Sequence, residues 1–147
     1  MPKPINKKRV MVFGTFDRLH HGHLSFLKQA KRHGDELIVA VANDRIVQML
    51  KNKKPLHDSE KRRGDVAQIS GVTNAVIGDD TLGTYSIVKK HKPDVICLGY
   101  DQNELKNDLK NNIKNGNVPE VRLITLKPHF PQKFKTSILE KLDKNDR

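Results

Sequence analysis

Short apolar runs alternate with amphipathic, helix-like segments along this chain, and each run is about as long as a strand. The sequence predicts strands at residues 10–13, 37–42, 75–77, 94–98 and 121–126. The second run is apolar at every position, which is typical of a strand buried on both faces of a sheet. The pattern indicates several buried strands separated by other elements.

Helices are predicted between these strands, and most of them are closed by glycine or proline. They cover residues 22–33, 45–50, 59–70, 84–91 and 103–115, and a last helix runs to about residue 142. Ser59 is expected to cap the third helix, and Thr136 or Ser137 is expected to cap the last.

Strands that alternate with helices indicate βαβ units and therefore a parallel sheet. Right-handed crossovers place helices on both faces, so we expect an α/β fold: a single Rossmann-like, doubly wound domain with about five parallel strands. In such sheets ligands bind beyond the carboxyl ends of the strands. Residues 14–23, 43–44 and 99–102 each follow a strand, and we expect them to meet at that edge.

Length and composition fit one domain. The chain has 147 residues, of which 35% are hydrophobic and 31% charged, so we expect a single domain over residues 1–147 with residues 1–8 as a basic lead-in. No apolar run approaches the ~20 residues that span a bilayer, and the N-terminus lacks the apolar stretch of a signal peptide. A cytoplasmic protein with no membrane partner is expected. The single cysteine, Cys97, permits no internal disulfide and is expected to be buried.

A net charge of +11, from 28 basic and 17 acidic residues, favours an anionic partner. Nucleotides and nucleic acids both satisfy that condition. The chain has no Trp, and its few aromatic residues do not interleave with its basic clusters, so no stacking platform for single strands is evident. We expect a solvated basic surface and no nucleic-acid partner.

The most informative segment is Gly-Thr-Phe-Asp-Arg-Leu-His-His-Gly-His at residues 14–23. It follows the first predicted strand and leads directly into the first helix. Gly14 permits a tight turn, and Gly22 leaves room for a phosphate. Thr15 and Phe16 offer backbone N–H groups, and Thr15 also offers a hydroxyl. Free N–H groups at a helix N-terminus bind anions well.

His20 and His23 lie three residues apart, so they share one face of the helix start. Imidazoles in that place can donate hydrogen bonds to phosphate oxygens and stabilise charge that develops at an α-phosphate. The structural alternative is that both histidines only cap and pack the helix. A zinc site made of histidines is not expected, because no further ligands have suitable spacing.

The pattern Gly-Thr-Phe-Asp-x-x-His-x-Gly-His resembles the signature of the cytidylyltransferase-like nucleotidyltransferases, and the resemblance extends over about residues 9–142. Enzymes of this family transfer a nucleotidyl group from a nucleoside triphosphate to a phosphate acceptor and release pyrophosphate. They usually use Mg²⁺ or another divalent cation, which is expected to arrive with the triphosphate rather than on a metal site of the protein. The resemblance implies that His20 and His23 are catalytic and bind the α- and β-phosphates, and that Gly14, Phe16 and Gly22 bind the nucleotide.

A second segment, Lys53-Lys54-Pro55, resembles the basic loop of the family. The resemblance implies that Lys54 is a catalytic lysine that reaches acceptor or triphosphate, and solvated loop charge is the alternative. Arg62, in the next helix, is expected to hold either a phosphate or a carboxylate of the fold. Asp17 is a further candidate for a phosphate or acceptor contact. Asp44 either holds the fold or approaches the acceptor.

Two later segments match the family at nucleotide-binding positions. Asp101, in Gly-Tyr-Asp-Gln after the fourth strand, matches an acidic residue that approaches the ribose or base, and a helix N-cap is the alternative. Thr136 and Ser137 match a Ser/Thr-rich segment that closes over the triphosphate, and plain helix capping is the alternative. Lys135 or Lys133 is the candidate replacement for the arginine that family members carry nearby.

The resemblance favours the FAD synthase branch of the family, because of Gly-Tyr-Asp-Gln and the missing Arg-Thr-x-Gly lead-in to the last helix. The preferred reaction joins ATP and FMN to give FAD and pyrophosphate, and Tyr100, Phe130 and Phe134 are candidate flavin walls. Cytidylyl transfer from CTP to glycerol 3-phosphate or a sugar phosphate is the second hypothesis. A non-catalytic nucleotide- or nucleic-acid-binding module is the third. The resemblance also implies a homodimer.

Overall fold

All five predicted strands form one parallel sheet in the computed structural model, which describes residues 7–128. In chain order they are Arg9–Gly14 (β1), Glu36–Val41 (β2), Asn74–Ile77 (β3), Val95–Leu98 (β4) and Arg122–Thr125 (β5). Their order across the sheet is β3-β2-β1-β4-β5. The predicted α/β fold with about five parallel strands is confirmed.

Five helices connect or follow these strands within the described residues. They are His21–Lys31 (α1), Asp44–Lys51 (α2), Ser59–Ala67 (α3), Ser86–His91 (α4) and Asn103–Lys114 (α5). None of these helices is long and apolar enough to cross a membrane.

The sheet is buried on both faces, which is why its inner strands are apolar at consecutive positions. Val10 and Val12 point into one core layer together with Leu27 of α1 and Val66 of α3. Met11, between them, points into the opposite layer, which contains residues of α4, β4 and α5. This alternation follows from the two-residue period of a strand.

The centre of the sheet is β1, and it is also the point at which the strand order reverses. It pairs with β2 over its whole length, from Arg9↔Glu36 to Gly14↔Val41, and with β4 on its other side. The chain runs outward through β2 and β3 on one side and through β4 and β5 on the other. A crevice therefore opens beyond the carboxyl end of β1, where ligands bind in folds of this kind.

Two predicted helix starts are wrong in detail. The cap of α3 is Asp58 rather than Ser59, because the Asp58 side chain accepts a hydrogen bond from the Lys61 N–H at 2.8 Å. Helix α4 begins at Ser86 rather than residue 84, because Tyr85 adopts a left-handed conformation with a φ of 51°. The predicted last helix and its caps, Thr136 and Ser137, lie outside the described residues.

Candidate active site

A large cleft of about 1050 Å³ opens at the carboxyl edge of the sheet. Residues from the end of β1 and the start of α1 line its middle, among them Gly14, Thr15, Phe16, His20, Gly22 and His23. The three segments that were expected to meet at this edge all contribute to its lining. The predicted motif therefore lines this cleft, beyond the end of the central strand of the sheet.

The first turn of α1 is closed by its own two histidines. His20 is the N-cap, and its Nδ1 accepts a hydrogen bond from the Gly22 N–H at 3.0 Å. In return, the Nδ1 of His23 accepts from the His20 N–H at 3.3 Å. This reciprocal arrangement is a capping box in which imidazoles replace the usual hydroxyl and carboxylate. Both histidines thus cap the helix, which was the structural alternative, and these hydrogen bonds fix the positions of their rings.

Capping determines which nitrogen of each ring is available for other chemistry. When Nδ1 of a neutral imidazole accepts a hydrogen bond, the ring proton is on Nε2. His20 and His23 then each carry the ring proton on Nε2. Their rings stack with centroids 4.0 Å apart, and the Nε2 of His20 is buried. N–H donors at a helix N-terminus suit phosphate oxygens. Capping and phosphate binding are therefore compatible functions of the same two side chains.

The ring of Phe16 explains why residue 14 is glycine. A Cβ atom at Gly14 would lie 2.7 Å from the Phe16 ring, closer than real Cβ contacts allow. Phe16 itself has a positive φ of 55° and is almost fully buried. Its ring also lies 5.5 Å from the ring of His23. Gly14 thus permits the close approach of the Phe16 ring, which in turn supports the histidines.

Arg62 is a buried cross-link beneath the site. Its side chain is fully buried, and its Nε donates to the His57 carbonyl at 2.9 Å. Nη1 donates to the carbonyls of Thr15 and Ala42 at 2.8 Å each, and Nη2 donates to Asp44 at 2.6 Å. One guanidinium thus joins the loop after β1, the end of β2 and the segment before α3. These contacts support the structural role for Arg62 that the sequence left open.

Asp44 completes this cross-link. Its second carboxylate oxygen accepts from the Ser59 N–H at 3.0 Å, which ties the start of α2 to the start of α3. Burial alone would raise the pKa of Asp44, but the hydrogen bonds from Ser59 and Arg62 outweigh it and lower the pKa below 3.8. Asp44 therefore holds the fold, and it is a carboxylate throughout the physiological pH range.

The lowered pKa of Asp44 predicts a specific loss of stability in acid. A carboxyl group whose folded-state pKa is depressed stabilises the fold above its unfolded pKa, and this contribution disappears as the pH falls through the folded value. We expect the stability difference between wild type and Asp44→Asn to shrink between about pH 5 and pH 2. The effect is modest, because the Asp44 side chain is 41% exposed. Urea unfolding at several pH values measures it, with Asp65→Asn in the surface pair Lys61–Asp65 as control. Parallel acid curves for wild type and Asp44→Asn would contradict the assignment.

Asp17 anchors the loop that joins α2 to α3. Its carboxylate accepts hydrogen bonds from two consecutive backbone N–H groups, those of Leu56 at 2.6 Å and His57 at 3.1 Å. His57 is thus held through its N–H by Asp17 and through its carbonyl by Arg62. Asp17 ties this loop to the segment of residues 14–23, and a direct contact of Asp17 with phosphate or acceptor stays a prediction.

The basic loop presents its lysines in different ways. Lys53 and Lys54 are exposed and do not line the cleft, whereas Lys51, in the last turn of α2, does. The turn between them is made by Asn52, which ends the helix with a φ of 55°. A catalytic role for Lys54 stays a prediction, and Lys51 is a lysine of this region that the family pattern did not single out.

The segment after β4 supplies the other wall of the cleft. Asp101 is exposed and lines it, and its contact with the nucleotide stays a prediction. The N-cap position of α5 is Gln102 rather than Asp101, and the Gln102 side chain does not cap the turn. Gln102 instead accepts from the Gly99 N–H at 2.8 Å and donates to the Phe13 carbonyl at 2.9 Å. It therefore joins the carboxyl ends of β4 and β1 beside the motif.

Several residues that line the cleft belong to no sequence motif and are identified only by the structure. They are Ile46, Leu50, Asp79, Leu82, Tyr85 and Ile87. The four-residue spacing of Ile46 and Leu50 is the one sequence signal for this set, because it puts both on one helix face. Residues 79–87, a loop and the start of α4, contribute four of these residues.

Three predicted site residues, Thr136, Ser137 and Lys135, lie outside the described residues, as do Lys133, Phe130 and Phe134. Within residues 7–128, no three His, Cys, Asp or Glu side chains come together as a metal site. Cys97 is buried as predicted, and burial raises the pKa of its thiol to about 11.

The fold, the cleft and the capped histidines define a nucleotidyltransferase-like site, and comparison with known proteins agrees. The chain belongs to the cytidylyltransferase-like family, whose model matches residues 11–139. The predicted family membership is confirmed.

The chain is also similar to curated proteins that are named FAD synthase. It is 44% identical over 97 residues to the FAD synthase of Thermococcus sibiricus and 47% identical over 95 residues to that of Pyrococcus abyssi. These matches cover 66% and 65% of this chain, and 66% and 64% of the relatives. The chain thus spans just under two thirds of the length of these two relatives.

Solved structures share the fold. The lipopolysaccharide core biosynthesis protein from Thermoplasma volcanium superimposes with a TM-score of 0.76 at 33% identity, over 85% of this chain and all of that one. Pantoate-beta-alanine ligase from Francisella tularensis superimposes with a TM-score of 0.57 at 15% identity, over 97% of this chain and 71% of that one. The second likeness concerns the fold alone.

Proposed function

We propose that this protein is an FMN adenylyltransferase, which joins ATP and FMN to give FAD and pyrophosphate. The observation that carries the proposal is the pair of capped imidazoles, His20 and His23, at the centre of the cleft. The identity of the acceptor is supported by the two relatives, each of which is named an FAD synthase.

The two sides of the cleft suit different substrates. On the side of β4 and α5 the lining is rich in hydrogen-bonding groups, including Asp101, Gln102, Asn103 and Gln29. We assign this side, at the point where the strand order reverses, to the ribose and base of ATP. The side of α2, β3 and α4 is then left for FMN, and the triphosphate lies between them at α1. Tyr100 lines the cleft between β4 and α5, so this assignment replaces its expected role as a flavin wall.

The proposed reaction is a direct displacement at the α-phosphorus of ATP. A phosphate oxygen of FMN forms the new P–O bond, and the bond from the α-phosphorus to the bridging oxygen of pyrophosphate breaks. The Nε2–H groups of His20 and His23 donate hydrogen bonds to the oxygens on which charge accumulates. Their rings are already fixed by capping, so little reorganisation accompanies the reaction.

A divalent cation, with Mg²⁺ preferred, is part of the proposal. Mg²⁺ in nucleotide-dependent enzymes is bound largely through substrate phosphates and keeps several waters. Bound to the triphosphate, it would neutralise the leaving pyrophosphate. Thr136, Ser137 and Lys135 are proposed to complete the triphosphate contacts, and Lys54 is proposed to reach a phosphate from its loop. A cytoplasmic location and a homodimer remain predictions.

A substrate panel tests the proposal and its alternatives together. Purified protein with Mg²⁺ is incubated with ATP or CTP and with FMN or glycerol 3-phosphate, and pyrophosphate release and product are measured. We expect FAD from ATP and FMN, at a rate at least about ten-fold above any other pair. Product only from CTP and glycerol 3-phosphate would replace the proposed acceptor. No pyrophosphate from any pair, with nucleotide still bound, would favour a non-catalytic binding module.

A further inference from the structure

Two leucines in the acceptor side of the cleft are unusually exposed. Leu50, in the last turn of α2, is 65% exposed, and Leu82, in the loop between β3 and α4, is 53% exposed. Both line the cleft. Exposed large aliphatic side chains that line a concave site commonly contact a ligand.

We propose that Leu50 and Leu82 form opposite walls of a slot that holds the isoalloxazine ring of FMN. This inference rests on the proposed function and specifies which residues select the flavin. The isoalloxazine is a flat tricycle with an apolar dimethylbenzene end, which fits between two branched aliphatic walls. The phosphate of the same molecule reaches the imidazoles.

The helix that carries Leu50 packs against the core through two neighbouring residues. Ile46 lies one turn earlier on the same face of α2, is only 8% exposed and also lines the cleft. Val47 of the same helix is buried. Leu50 therefore projects from a helix that is fixed by packing, with its side chain left for a ligand.

The wall that carries Leu82 is organised by Asp79. The Asp79 carboxylate accepts hydrogen bonds from the Thr84 hydroxyl and from the N–H groups of Ser86 at 2.7 Å and Ile87 at 3.3 Å. The Thr84 hydroxyl also lies 3.0 Å from the Thr81 carbonyl. These bonds close the loop on itself, so Leu82 is presented by a formed turn. A ligand then need not order the loop when it binds.

The separation between this slot and the histidines suits FMN. The loop with Leu82 follows β3, which lies two strands from β1 in the sheet. At the usual strand spacing this is about 10 Å, which is on the order of the length of an extended ribityl phosphate chain. A smaller acceptor such as glycerol 3-phosphate would bind at the histidines without reaching either leucine.

Steady-state kinetics of Leu50→Ala and Leu82→Ala test the slot. We expect each change to raise the KM for FMN about ten-fold, with the KM for ATP and kcat within about two-fold of wild type. Ribitol 5-phosphate, in which a hydroxyl replaces the ring of FMN, serves as competitive inhibitor, and we expect its inhibition constant to be unchanged. Met49→Ala is the matched control, because Met49 is 60% exposed on the same helix and does not line the cleft.

The outcomes separate this inference from the function on which it rests. If wild type makes FAD but both leucine variants, and the double variant, keep the wild-type KM for FMN, the slot is wrong and the adenylyltransferase stands. The slot is also wrong if the variants weaken the binding of ribitol 5-phosphate as much as that of FMN, since the leucines would then contact the ribityl phosphate part of FMN and not its ring. If wild type makes no FAD, the proposed function itself fails and the slot falls with it.

Discussion

Replacing His20 by asparagine is expected to lower kcat for FAD formation by about 10²–10³-fold while leaving the fold intact. Asparagine is among the best N-cap residues, so its side-chain oxygen can replace Nδ1 as the acceptor of the Gly22 N–H. Its shorter side chain cannot place a donor where the Nε2–H of His20 lies. The variant thus removes phosphate binding and keeps capping. Rates of FAD formation and thermal melts of the same preparations measure both effects.

Two further variants control this experiment. His20→Ala removes the cap as well, so we expect the same loss of kcat plus a loss of about 1 kcal/mol in stability. His21→Asn changes an exposed neighbour that does not line the cleft, and its activity should be that of wild type. If His20→Asn retains activity within about three-fold of wild type, His20 is only a helix cap.

Replacing Arg62 by alanine is expected to destabilise the protein by about 3–5 kcal/mol. The change removes four hydrogen bonds at once and leaves the carbonyls of Thr15, Ala42 and His57 without their donor. It also removes the cation that pairs with Asp44. For a chain of this size the melting temperature should fall by roughly 6–20 °C.

The neighbouring Arg63 provides the control for that variant. It forms a surface pair with Glu60 at 3.0 Å, and the two side chains are 36% and 68% exposed. Exposed pairs on one helix contribute little, so Arg63→Ala should cost less than about 0.5 kcal/mol. Equal, small losses for Arg62→Ala and Arg63→Ala in urea unfolding would show that the buried cross-link is not needed.

The strands could be predicted because their signal is local. Buried parallel strands are apolar at consecutive positions, and runs such as residues 37–42 are legible without any knowledge of their neighbours. Helix starts were less predictable where they depend on a choice between two capping residues or on the conformation of one residue. Asp58 and Ser59 are both good caps, and nothing in the sequence shows that Tyr85 takes a left-handed conformation.

In the site, too, local features could be predicted from the sequence and long-range contacts could not. His20 and His23 could be located because the strand, the glycine turn and the helix start that position them are adjacent in the chain. The role of Arg62 could not be decided, since its partners Thr15, Ala42 and Asp44 meet it only after the sheet has formed. Whether a side chain is exposed in a cleft also depends on the tertiary structure. The roles proposed for Leu50 and Leu82 could therefore be inferred only from the structure.

The central claim is that the Nε2–H groups of His20 and His23 hold the phosphates of ATP. It is tested most directly by ¹⁵N NMR of the histidine rings, in protein titrated with Mg²⁺ and an ATP analogue whose α,β-bridging oxygen is replaced by methylene. Saturating analogue should shift the Nε2 resonances of both histidines, while those of exposed His21 and His33 stay unchanged. Binding of the analogue with no shift at His20 or His23 would contradict the claim.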